Sequence, residues 1–227
     1  MGDAGKRAAG RAAAELVERG MRLGLGTGST VAFFLEALYE RGLDVAGVAS
    51  SEATAQRCRQ LGLQLLPAEE AHDLDLTVDG ADELDQHLTL TKGGGGALLR
   101  EKVLARASER MVVIATVDKV VDRLGRTFPL PVEVVPFAAP VVARELRLWG
   151  FEVTARGEGR YRTDNRNAIL DLRRDDGIDD PAELEVALAL VPGVVESGLF
   201  VDLAHLALLG DDDGAVHQLV RPDRAGA

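Results

Sequence analysis

Asp79, Asp82, Lys92 and Glu101 fall in one short stretch and carry the charges that an acid–base site needs. Carboxylates take and return protons, and an ammonium group holds a developing oxyanion. Gly80 and Ala81 separate the two aspartates and leave room for a substrate between them. Lys92 opens onto Gly93, Gly94, Gly95 and Gly96, a run that costs chain entropy on ordering and makes sense where backbone N–H groups crowd a ligand. A helix beginning near Gly96 puts Glu101 in its second turn, on a face with Ala97, Leu98 and Leu104. That apolar setting raises the Glu101 pKa toward a value useful for a base.

Upstream, Gly24-Leu25-Gly26-Thr27-Gly28-Ser29-Thr30 stands between a strand and a helix. Its backbone and the Thr27, Ser29 and Thr30 hydroxyls suit an anion at a helix N-terminus. It is not a dinucleotide fingerprint, because the third glycine would fall at Ser29, and no Gly-Lys-Ser/Thr follows to make a P-loop. Lys6 and Lys119 are further cations that the fold could bring to the same edge. The expectation is a metal-free acid–base site for a small phosphorylated substrate. Blander readings stand beside each motif: Asp82 as a cap or turn residue, Asp79 satisfying nearby N–H groups, Glu101 in a surface pair with Lys102, and Lys6 and Lys119 simply solvated.

Other chemistries lack their residues. His72, His87, His205 and His217 have no metal-ligand spacing, and neither HExxH nor GxSxG occurs. Cys58, the single cysteine, reads as core filler and suits a reducing cytoplasm. A net charge of −11 argues against a nucleic-acid surface but not against a small anion bound by local donors. No apolar run approaches the ~20 residues of a membrane span, and the first residues lack a signal-peptide layout. Only four of the 26 basic residues are lysine, namely Lys6, Lys92, Lys102 and Lys119, which marks them as point charges to watch.

The elements that must position these groups alternate helix and strand through about Leu124. The pattern reads as a helix Asp3–Arg19, strand Met21–Leu25, helix Thr30–Arg41, strand Val45–Ala49, a helix capped by Ser51, and apolar strands Leu74–Val78 and Met111–Thr116. That implies βαβ units in a doubly wound, mostly parallel α/β sheet. From Thr127 the order becomes β-α-β-β-α-β, a ferredoxin-like α+β unit whose last strand is Val194–Phe200. Segments 203–209 and 215–220 read as strands that return to the first sheet. Residues 1–126 with 201–227 are thus expected to form one unit, and 127–200 an inserted second.

The motifs carry a resemblance. Gly-Thr-Gly-Ser-Thr (26–30), Val-Asp-Gly-Ala-Asp-Glu (78–83), Lys-Gly-Gly-Gly (92–95), Arg-Glu-Lys (100–102) and Phe-Pro-Leu-Pro-Val-Glu-Val (128–134) resemble ribose-5-phosphate isomerase, type A. So do Thr-Asp-Asn (163–165), Ile-Leu-Asp (169–171), Pro-Gly-Val-Val (192–195) and Gly-Leu-Phe (198–200), all in the family's order. The resemblance implies interconversion of D-ribose 5-phosphate and D-ribulose 5-phosphate in the non-oxidative pentose phosphate pathway. It implies no metal or organic cofactor, and a homodimer or homotetramer. By position, Glu101 matches the proton-transferring base, and Asp79, Asp82 and Lys92 match its active-site partners. Lys6, Thr27, Gly28, Ser29, Thr30, Asp79, Gly80, Ala81, Asp82, Lys92, Gly93, Gly94, Gly95 and Lys119 match substrate-contacting positions. Gly96, Leu99 and segment 201–205 depart from the family's usual residues without removing a reactive group. Two other classes stand beside this one: a sugar-phosphate-sensing domain that would use the same loops to bind without reacting, and an acyl-carrier transferase on a related sheet, which would need a carboxylate nucleophile and coenzyme A.

Overall fold

The computed structural model describes residues 2–221; Met1 and residues 222–227, assigned from sequence to the first unit, lie outside them. Seven strands form one sheet: β1 (Arg22–Leu25), β2 (Ala46–Ala49), β3 (Gln64–Leu65), β4 (Leu74–Asp79), β7 (Ser108–Thr116), β13 (Leu206–Gly210) and β14 (Val216–Val220). Their order is β14-β13-β7-β4-β1-β2-β3, parallel throughout except for the β13–β14 hairpin. β2 and β3 extend from one side of β1, and the chain then crosses to place β4 on the other side. The reversal leaves a crevice between the carboxyl ends of β1 and β4, where open α/β sheets bind ligands.

Helices α1 (Asp3–Glu15), α2 (Ser29–Arg41), α3 (Glu52–Leu61) and α4 (Leu98–Arg106) cover the sheet. Both faces are dry. Phe34, Leu35, Leu23 and Ile114 lie in one cluster, and Leu84, Leu90, Met111 and Phe200 in another. This double coverage is why β4 and β7 read as continuous apolar runs. Ser51 caps α3 as expected, its hydroxyl accepting the Thr54 N–H at 3.1 Å. α1 ends earlier than the sequence suggests: Leu16 and Val17 bond back only three residues in a tightened last turn, and Val17 drops into the core.

The second sheet holds β8 (Leu130–Val134), β9 (Glu152–Ala155), β10 (Ala168–Arg173) and β11 (Val194–Ser197) in the antiparallel order β11-β8-β10-β9. With α5 (Ala139–Leu148) and α6 (Pro181–Ala189) this is the split βαβ arrangement. Asp180 caps α6 by accepting the Glu183 N–H at 2.9 Å. The expected single strand Val194–Phe200 is broken. Gly198 donates to Pro131 O at 2.7 Å and accepts Lys92 N–H at 2.8 Å, and a Cβ at Gly198 would stand 2.2 Å from the Lys92 carbonyl oxygen. The chain therefore switches sheets, and β12 (Leu199–Phe200) joins β5 (Glu83–Leu84) and β6 (Leu90–Thr91) in a small third sheet that the sequence pattern did not reveal. Two-residue strands are too short to show a period.

Glu83 of β5 ties the small third sheet to the segment that leads into β8. Its fully buried carboxylate accepts N–H bonds from Gly125 (2.6 Å), Thr127 (2.8 Å) and Phe128 (2.8 Å), and hydroxyl bonds from Thr127 and Thr91. Glu83→Ala would orphan those donors, each costing about 1–3 kcal/mol. Urea unfolding should show a loss of at least ~3 kcal/mol; a loss below ~1 kcal/mol would mean that water replaces the carboxylate at no cost.

Candidate active site

The crevice is a cleft of about 240 Å³, below the ~300–1,000 Å³ of pockets for drug-sized ligands and suited to a small metabolite. Thr27, Gly28, Ser29 and Thr30 line it from the β1–α2 junction. The N–H groups of Ser29, Thr30 and Val31 precede the first helical bond, Ala32 N–H to Gly28 O at 3.1 Å, and so present an anion-binding helix end. Gly80, Ala81 and Asp82 follow β4, Lys92 through Gly95 follow β6, and Glu101 reaches in from α4. Lys6 enters from α1 and Lys119 from the turn after β7. Ala115 and Thr116, at the carboxyl end of β7, also line the cleft. In the sequence these two residues carry only a strand signal, although they stand next to Lys119.

Beneath the cleft lies a buried array. The Lys92 Nζ stands 2.8 Å from Asp79 Oδ2 and 3.2 Å from Glu101 Oε2, and donates to Gly80 O at 2.8 Å. All three side chains are nearly removed from water, with exposures of 3% for Lys92, 0% for Asp79 and 4% for Glu101. The other Asp79 oxygen accepts N–H bonds from Thr27 at 3.0 Å and Gly80 at 2.7 Å. Glycine is required at position 26, because a Cβ there would sit 2.1 Å from Asp79 Oδ1. Asp79 thus lies behind Lys92 and does not line the cleft, unlike its expected place among the substrate contacts; its strand end points it into the sheet's own floor.

Burial, first, and the neighbouring Asp79 together raise the Glu101 pKa to about 8 against the opposing pull of Lys92. The Lys92 ammonium is desolvated, yet Asp79 and Glu101 hold it above the ordinary lysine range. Burial also raises Asp82, against the pull of the Gly94 N–H, which it accepts at 2.8 Å, and of Lys92, Lys119 and Arg156. The result is one fixed cation, a carboxyl poised near neutrality, and a second carboxylate at the cleft wall.

Two expectations are corrected. Glu101 lies in the first turn of α4 rather than the second, because Gly96 donates to Gly93 O at 2.9 Å and adopts φ +81°, which holds the glycines in a turn until Ala97. The Thr27 hydroxyl faces away from the cleft into a knot with Ser50 (2.8 Å), Ser51 (2.8 Å) and Thr54 (3.1 Å), while Thr54 donates to Gly26 O at 2.8 Å. It braces the anion loop instead of offering a donor to a ligand. The surface-pair reading of Glu101 also falls away, since Lys102 bonds Glu185 and Glu196, each at 2.7 Å. Among the described residues no cluster of His, Cys, Asp or Glu is arranged to hold a metal ion, and no helix is long and apolar enough to cross a membrane.

Known proteins resemble this chain in sequence and fold. The sequence model of ribose 5-phosphate isomerase A (phosphoriboisomerase A) matches residues 46–214. A ribose-5-phosphate isomerase A from Caulobacter sp. (strain K31) is 50% identical over 218 residues, covering 93% of this chain and 96% of that protein. The solved ribose 5-phosphate isomerase A of Methanocaldococcus jannaschii superposes with a TM-score of 0.88 at 38% identity, over 95% of this chain and 97% of that one. A D-ribose-5-phosphate isomerase solved in complex with phospho-erythronic acid superposes with a TM-score of 0.91 at 35% identity, over 95% and 97% of the two chains. Sequence and fold agree, and the chain belongs to the ribose 5-phosphate isomerase A family of enzymes.

Proposed function

We propose that this enzyme interconverts D-ribose 5-phosphate and D-ribulose 5-phosphate through an enediolate, as a step of the non-oxidative pentose phosphate pathway. The buried Asp79–Lys92–Glu101 array opening onto a small cleft carries the reading. Moving a carbonyl from C1 to C2 requires a base for a carbon-bound proton and a cation for the resulting oxyanion. Glu101 takes the C2 proton of the open-chain aldose and returns it to C1 on the same face. Lys92 holds the oxyanion together with N–H groups of the glycine run, each such donor being worth ~2.7–4 kcal/mol. Asp82, at the cleft wall, moves the proton between O1 and O2. Asp79, out of reach, holds Lys92 charged and in place. The phosphate sits at the α2 N-terminus, with Lys6 and Lys119 compensating its charge. Phospho-erythronic acid, bound by a relative, suits such a site: its carboxylate copies the two oxygens of an enediolate, and its phosphate copies that of the substrate.

Lys92 does the work for which other isomerases recruit a divalent ion, so turnover of ribose 5-phosphate should persist in EDTA. With Glu101 raised by burial and Asp79, kcat/KM should fall as pH drops through an inflection well above the ordinary carboxylate range, because only the carboxylate accepts a proton. A direct assay across pH, with and without chelator, tests both. No turnover of ribose 5-phosphate would end the reading, and an inflection near 4.5, the unshifted glutamate value, would remove Glu101 as base.

The division into residues 1–126 with 201–227 and residues 127–200 is proposed on the separate sheets and cores. Assembly of identical copies as a dimer or tetramer is proposed on the apolar side chains that α5 and the turn before it leave in water, with Phe137 95%, Val141 69% and Leu148 79% exposed. A buried, unpaired Cys58 supports a cytoplasmic setting.

A further inference from the structure

The glycine run is gripped from the second sheet. Arg156, directly after β9, donates from Nη1 to the carbonyl oxygens of Gly93 at 2.9 Å and Gly94 at 3.1 Å. Its Nε and Nη2 fork onto Asp171 of β10 at 2.9 and 2.5 Å. The guanidinium lies 5.5 Å from the Tyr161 ring centroid, and the Tyr161 hydroxyl donates to Gly95 O at 3.3 Å. Three successive carbonyls of the loop are therefore drawn to one side.

In a trans peptide the C=O of one residue and the N–H of the next point in opposite directions. Drawing the Gly93 and Gly94 carbonyls toward Arg156 turns the N–H groups of Gly94 and Gly95 the other way. The first of these meets Asp82 Oδ2 at 2.8 Å, on the cleft wall. The second belongs to Gly95, which lines the cleft and has no N–H partner among the described residues. A cation on a carbonyl also polarises its peptide and strengthens the N–H on the far side.

We propose that Arg156, fixed by Asp171, is a positioning residue for the isomerisation: it aims and polarises the Gly94 and Gly95 N–H groups, the first onto Asp82 and the second onto the oxyanion. The assignment rests on the isomerase reading above. It explains why a planar fork stands at position 156. Lysine keeps the charge but cannot hold Asp171 bidentately while bonding two carbonyls.

The test uses the full chain with Arg156→Ala, Arg156→Lys and Asp171→Asn, measuring kcat and KM for ribose 5-phosphate and thermal unfolding by circular dichroism. Wild type in the same assay separates the two claims: an inactive wild type ends the isomerase reading, whereas an active one leaves the variants to judge Arg156. A misaimed donor should lower kcat at least about tenfold in all three variants, toward the ~10²–10³ seen for deleted oxyanion donors. KM should stay within about threefold, since the interaction forms in the transition state. Millimolar guanidinium should restore part of the lost kcat in Arg156→Ala. If that variant does not fold, Arg156→Lys and Asp171→Asn decide by the same split. Variants with kcat within about threefold of wild type would overturn the proposal. So would parallel losses of kcat, KM and melting temperature without a guanidinium response, which would show a merely structural staple.

Discussion

Glu101→Gln should keep the sugar phosphate bound and lower isomerisation by at least ~10², the lower bound expected for loss of a general base. Glutamine preserves the volume and one hydrogen-bonding oxygen beside Lys92, which stands 3.2 Å from the carboxylate in the native chain. Asp79 still pairs with Lys92 at 2.8 Å, so the ammonium keeps a counter-charge and the cleft its shape. What disappears is the proton acceptor alone. Steady-state kcat with ribose 5-phosphate, paired with calorimetric titration of phospho-erythronic acid, separates chemistry from binding. Near-wild-type turnover would sink the assignment, and loss of binding without loss of single-turnover rate would move Glu101 to a recognition role.

Lys92→Met should be the more damaging change, because in the proposed mechanism Lys92 serves the reaction and its buried ion pairs also serve the fold. Without its ammonium the oxyanion loses a donor, for which ~10²–10³ in kcat is the usual scale. Asp79 and Glu101 are then left facing each other, 0% and 4% exposed, with no cation between them. Removing one partner of a buried ion pair typically costs about 3–5 kcal/mol, where the remaining charge stays buried and unpaired. The pH dependence has a definite sign. A carboxyl whose folded pKa lies above its unfolded value, 4.5 for glutamate, is bound to a proton more often in the folded state. Stability is then full below the unfolded value and declines as pH rises toward the folded one. Losing Lys92 raises Glu101 further; both proteins lose stability alike up to the native folded value of about 8, so the melting-temperature gap between variant and wild type should widen as pH rises above about 8. A gap that stays constant over that range would show that the carboxylates do not titrate as a consequence of losing Lys92.

Much of the architecture was legible because its signals are local. Ser51 and Asp180 mark helix starts through side-chain acceptors a few residues from their targets. The apolar runs of β4 and β7 announce strands covered on both faces. What was missed depends on partners distant along the chain. The break at Gly198 follows from the Lys92 and Pro131 backbones, and the commitment of the Thr27 hydroxyl follows from Ser50, Ser51 and Thr54. Arg156 stood outside the expected site because its targets are backbone carbonyls, which carry no residue signature.

By itself the sequence determined the alternation of elements, the glycine-rich turns, and the presence of Asp79, Asp82, Lys92 and Glu101 near strand and helix ends; its ordered motifs pointed to the family. Only the tertiary structure decided which of these groups touch the cleft and which stand behind it. Asp79 proved to be the buried support of Lys92, Asp82 the carboxylate at the wall, and Glu101 the carboxyl raised toward neutrality. The reason is physical. Residue type and spacing fix what a group can do, whereas burial and the charges placed within a few ångströms by non-local packing fix its protonation state and reach.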